Sequence, residues 1–136
     1  GLNTGALLRV NAEMQVAVVC SLPTGCHNAQ PYRGGVLFND TASNVVRAVD
    51  RLGQSFAQKV MMYPEQELDY AGVDNSKVAR QGFARGLCVM DDQLVAVGSS
   101  PSTITIFDVQ ADSRLTGVNL TMDIRNAIHG LEVWPF

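Results

Sequence analysis

No run of lysine or arginine and no basic stripe occurs in this sequence of 136 residues, whose 10 Lys and Arg are outnumbered by 13 Asp and Glu for a net charge of −3. Nucleic-acid binding by phosphate neutralisation is therefore not expected. Aromatic residues are few, at 7%, and do not interleave with basic ones, which also excludes a stacking platform for single strands. No apolar run approaches the roughly 18–20 residues of a membrane helix. The longest, Val16-Ala17-Val18-Val19-Cys20, has the length of a strand. Cysteine is limited to Cys20, Cys26 and Cys88, an odd number with no CxxC spacing. That argues against a disulfide framework or a structural zinc site and for buried thiols in a reducing compartment.

Catalytic signatures are missing as well. There is no GxSxG, no HExxH and no phosphate-cradling glycine loop. Cys26 stands beside His27, but neighbours on a strand point to opposite faces, which disfavours a thiolate–imidazole pair. No signal peptide is visible, so a cytoplasmic location is the expectation, although the chain begins Gly1-Leu2-Asn3 without methionine. The sequons Asn39-Asp40-Thr41 and Asn119-Leu120-Thr121 carry no weight without an export signal.

What the sequence does have is a hydrophobic fraction of 46% with 17% charged residues, enough for one domain burying roughly 65–70% of its unfolded surface. Short runs of β-formers bounded by Gly, Pro, Asn, Asp and Ser dominate, and helical periodicity is scarce. They predict strands over 5–10, 14–20, 27–32, 35–39, 44–49, 56–62, 84–90, 93–98, 103–109, 114–121 and 128–134. Only 64–82 breaks the rhythm; it reads as a connecting loop with room for one helical turn after Asp74-Asn75, capped by Ser76.

The strands repeat. GGVLFNDTASNVVRAVDR (34–51) and DQLVAVGSSPSTITIFDV (92–109) share a strand, a Ser/Thr-rich turn and an alternating strand closing on aspartate, with Asp50 and Asp108 58 residues apart. A leading strand precedes each unit and a fourth follows it. Two four-stranded meanders of this kind predict two blades of a β-propeller, spanning 26–63 and 83–122. A partial blade over 1–22 and a closing strand over 127–136 bring the total to about three, too few to close a ring of roughly four to eight. A homodimer with six blades is the expectation, in which the C-terminal strand of one chain meets the N-terminal strands of the other. The alternative is a fragment of a longer single-chain propeller.

QGFARGLCVMDDQLVAVGSS (81–100), with its F-x-R-G-L segment, resembles uncharacterised bacterial β-propeller proteins of the NHL/YVTN-like kind. GCHNAQPYRGGVLFNDTASNVVRAVD (25–50) resembles the preceding blade of the same proteins. The resemblance implies the propeller fold and no particular reaction.

Aligning the three leading strands sets His27-Asn28-Ala29-Gln30 over Arg85-Gly86-Leu87-Cys88 and over His129-Gly130-Leu131-Glu132. First strands of propeller blades run along the central channel, so this register predicts a ring of His27, Arg85 and His129, with Asn28 beside it. A second ring would hold Gln30, Cys88 and Glu132. The first suits a carboxylate or phosphate, which arginine binds bidentately. It alternatively suits a divalent metal held by His27, His129 and Glu132, which would make the protein a propeller-type lyase or hydrolase. A third reading is that these polar groups only solvate a water-filled channel. Asp50, Asp108 and the Asp91-Asp92 pair read as turn residues bonding local N–H groups. The apolar end Trp134-Pro135-Phe136 reads as packing into the closing blade or the dimer contact. Taken together, these features predict a binding or interaction module, with a small anion or a protein as its partner.

Overall fold

The computed structural model describes residues 5–73 and 79–134 and shows an all-β protein built from three antiparallel sheets. The first is a hairpin of β1 (Ala6–Val10) and β2 (Val16–Ser21). The second is a meander of β3 (Cys26–Tyr32), β4 (Gly35–Asp40), β5 (Val45–Asp50) and β6 (Gly53–Lys59). The third repeats it with β7 (Gly82–Val89), β8 (Leu94–Ser100), β9 (Thr103–Asp108) and β10 (Ser113–Asn119). Among the described residues no helix is long and apolar enough to cross a membrane.

Turn chemistry explains why the two meanders match. Asp50 Oδ1 accepts the Leu52 amide at 2.7 Å, and Gly53 follows at φ 125°, a conformation costly for any side chain. Fifty-eight residues later Asp108 Oδ1 accepts the amides of Gln110 and Ala111 at 2.9 and 2.8 Å. The Ala111 amide first, and then Gln93 Nε2 on the other oxygen, hold the Asp108 carboxyl below its ordinary value. Asp91 does the same between β7 and β8, accepting from Gln93 and Leu94. Between β4 and β5 the link is a 3-10 turn at Thr41–Ser43, closed by Asn44 in the left-handed region, where asparagine is tolerated.

The two meanders pack face to face. Leu37, Val46 and Phe56 from one meet Leu87, Val97 and Phe107 from the other in one continuous core. Phe56 and Phe107 form its aromatic centre, edge to face with centroids 6.0 Å apart. β4 and β8 are buried along almost their whole length, which is why both read as near-continuous apolar runs. β1 and β2 are different: Val16, Val18 and Val19 remain more than half exposed.

Two expectations are corrected. Residues 127–134 form no strand. Ile128 instead bonds sideways, its amide donating to Ser99 O at 3.3 Å and its carbonyl accepting from the Gly86 amide at 2.8 Å. A bulge in β7 between Gly82 and Gly86 releases that amide from the ladder. The sixth strand covers Gly53–Lys59 rather than 56–62, because the tight Asp50 turn starts it early and Val60 N then bonds Asn44 O. The connecting loop holds 3-10 turns at Glu65–Glu67 and Ala71–Val73. The turn expected at Asp74, Asn75 and Ser76 lies outside the described residues, as do Pro135 and Phe136.

Candidate functional site

At one end of the seam between the meanders, the first strands β3 and β7 run beside each other, and the segment around Ile128 lies against β7. This places four of the candidate residues together. His27 Nδ1 lies 2.8 Å from Thr41 Oγ1, and the Thr41 hydroxyl is committed to Ala84 O at 2.5 Å, so the imidazole is the donor. Asn28 sits at φ 50° in the β3 bulge. Its amide Nδ2 donates both to Arg85 O and, at 3.1 Å, to His129 O, tying three segments with one side chain. Arg85 Nη1 lies 3.3 Å from His129 Nδ1, and because arginine only donates, Nδ1 is the acceptor in this contact.

Phe83 organises this cluster. Its buried ring carries the Arg85 guanidinium at 4.3 Å, with the Arg80 guanidinium at 5.1 Å and the His27 ring centroid at 6.5 Å. Stacking on an aromatic face fixes the plane of a guanidinium and leaves its N–H edge for other partners. Arg85 Nε is buried without a hydrogen-bond partner. Neither of the ion pairs Arg47–Asp40 and Arg125–Asp123 among the described residues involves Arg85, so no described carboxylate neutralises it. Burial first, then the Arg85 charge, with a smaller contribution from His129, holds His27 below its ordinary value of 6.5. Arg85, His27 and His129 thus gather cation-forming groups in one place, with no ion pair to a carboxylate among the described residues.

The second set of positions is not a cluster. Gln30 Nε2 donates to Leu87 O at 3.1 Å, and Cys88 is buried with its thiol on Val89 O. Glu132 is exposed. Among the described residues no three His, Cys, Asp or Glu side chains group so as to hold a metal ion, and His27, His129 and Glu132 do not form such a set. The Cys26 thiol points away from His27 onto Pro23 O, and burial, then Asp40, pushes its pKa up to about 11, which leaves it unreactive at neutral pH.

Several residues that build the site were not legible as site residues. Phe83 stands in the F-x-R-G-L segment, where its type and spacing were visible but its role beneath Arg85 was not. Asn39 is fully buried and donates to Gly86 O at 2.9 Å, while Thr41 supports His27. The Asn39-Asp40-Thr41 triplet therefore holds β7 against β4, and in this fold its asparagine is closed to glycosylation.

The His27 position has a consequence for stability. Its folded pKa lies below its unfolded value, so the unfolded chain takes up the proton first, and stability present above pH 6.5 drains away as pH falls below it. The unfolding midpoint is expected to fall between pH 7 and about 5, and less so in His27→Gln. A scan of thermal melts against pH checks this; identical profiles for the two proteins would contradict it.

A scan against family models finds no match, and neither a search of curated proteins nor one of solved structures finds any.

Proposed function

We propose that the two meanders are neighbouring blades of a β-propeller, completed as a six-bladed ring by a second copy, and that the protein is a binding module that captures a small anion in the ring's channel. Three features support the propeller. The meanders carry the same strand order and the same aspartate turn 58 residues apart, and they stack face to face with their first strands adjacent. β1 and β2 have the length and place of the outer half of a third blade. Their exposed valines are what an open ring would leave uncovered.

The observation that carries the anion reading is Arg85, a stacked guanidinium with a partnerless buried Nε and no ion pair among the described residues, facing His129 and near His27. A carboxylate or phosphate oxygen in the guanidinium plane would add a charge-assisted bond to the half-exposed edge of this group. It would also favour protonation of His27, so binding should tighten below pH 6.5.

A thermal-shift panel of inorganic phosphate and small mono- and dicarboxylates at pH 6 tests the reading. The expected result is a rise in melting temperature that follows ligand concentration, shrinks at pH 8 and is weakened in His27→Ala. An equal response to chloride at matched ionic strength would leave no specific site.

A further inference from the structure

A cleft of about 330 Å³ lies between β1 and the start of β3, with Ala6 and Leu7 on one wall and His27, Asn28 and Ala29 on the other. We propose that residues 127–134 of a second copy fill it, so that each channel site is completed by a histidine from the other chain. This rests on the dimeric reading above and goes further by naming the segment, the cleft and the side chain delivered.

The chain itself displays the packing step that the cleft calls for. β3 is flanked by β7, through Gln30 on Leu87 O and Asn28 on Arg85 O. β7 is flanked in turn by the Ile128 segment, through the Gly86 amide. That segment fits closely, because a side chain at Gly98 would come within 2.5 Å of Ile128 Cγ2. Taking the same step backwards from β3 leads into the cleft, where a segment of the 127–134 type is required. The step would bring His129 of the second copy up to His27, as His129 of the same chain meets Arg85.

Surface chemistry agrees. Among the described residues β1 pairs only with β2, so its other edge has no described strand against it and offers N–H and C=O groups for pairing. Leu8 and Val10 on β1 are 51% and 53% exposed, and Trp134 in the donated segment is 75% exposed, more apolar surface than one chain covers by itself. The charges are complementary too. Arg9 is the one charged residue of β1 and Glu132 the one within 127–134, and neither has an ion-pair partner among the described residues.

Trp134 is the sole tryptophan, so its fluorescence reads the contact directly in the full chain. At micromolar concentration its emission should be blue-shifted and shielded from acrylamide. Dilution, or Ala29→Arg at an exposed position on the cleft wall, should shift it to the solvent-exposed spectrum and halve the mass in sedimentation. Arg9→Glu should weaken the dimer about tenfold, and Arg9→Glu with Glu132→Arg should restore it. This charge swap keeps the test decisive if Ala29→Arg fails to fold. A dimer with freely quenched tryptophan, or one indifferent to the charge swap, overturns the donated segment while leaving the dimer. A monomer at every concentration overturns both.

Discussion

Phe107→Ala is expected to lower the unfolding free energy by about 3–5 kcal/mol, the largest loss from any single truncation in this core. Phe107 is fully buried on β9, its neighbour across the ladder is Val95, and its ring meets Phe56 of the other meander edge to face. Truncation removes the aromatic contact from both sheets at once and leaves a cavity that two rigid ladders cannot collapse around. A domain's whole stability is about 5–15 kcal/mol, so the variant should be near its limit at room temperature. Phe107→Leu should lose much less, because it keeps most of the apolar volume. Urea unfolding followed by circular dichroism measures both. A loss below about 1 kcal/mol for the alanine variant would mean that the meanders do not depend on this seam.

Arg85→Ala is expected to abolish the anion response, and Arg85→Lys to keep only part of it. A guanidinium stacked on Phe83 presents a planar pair of donors, whereas an ammonium at the same place is a point charge with no fixed direction. Charge-assisted hydrogen bonds contribute about 1.5–3 kcal/mol, so the dissociation constant should rise about 10- to 100-fold. Folding should change little, because the polar contact of the Arg85 side chain is with exposed His129. Calorimetric titration with the anion that gives the largest thermal shift measures this. Equal affinity in wild type and Arg85→Ala would place the anion elsewhere.

The meanders were legible because their determinants are local: alternating strands, and Asp50 and Asp108 each bonding amides two or three residues on. The C-terminal strand was not, because Ile128 to Trp134 alternates well enough, but a strand also needs a partner edge, which this segment does not find within one chain. The repeat spacing pointed to His27, Arg85 and His129, and the structure brings them near one another, although His129 lies in no strand. What could not be read was the support beneath them. Whether Asn28 would donate to carbonyls from two other segments depends on a bulge and a positive φ, and no spacing rule reports those. The role of Phe83 likewise depends on where two arginines fold back onto it.

We propose that two copies of this chain close one ring, and the mass in solution tests that most directly. Sedimentation equilibrium at micromolar concentration should return a single species of twice the 14.7 kDa chain mass. A stable species of 14.7 kDa throughout the concentration range would contradict the account.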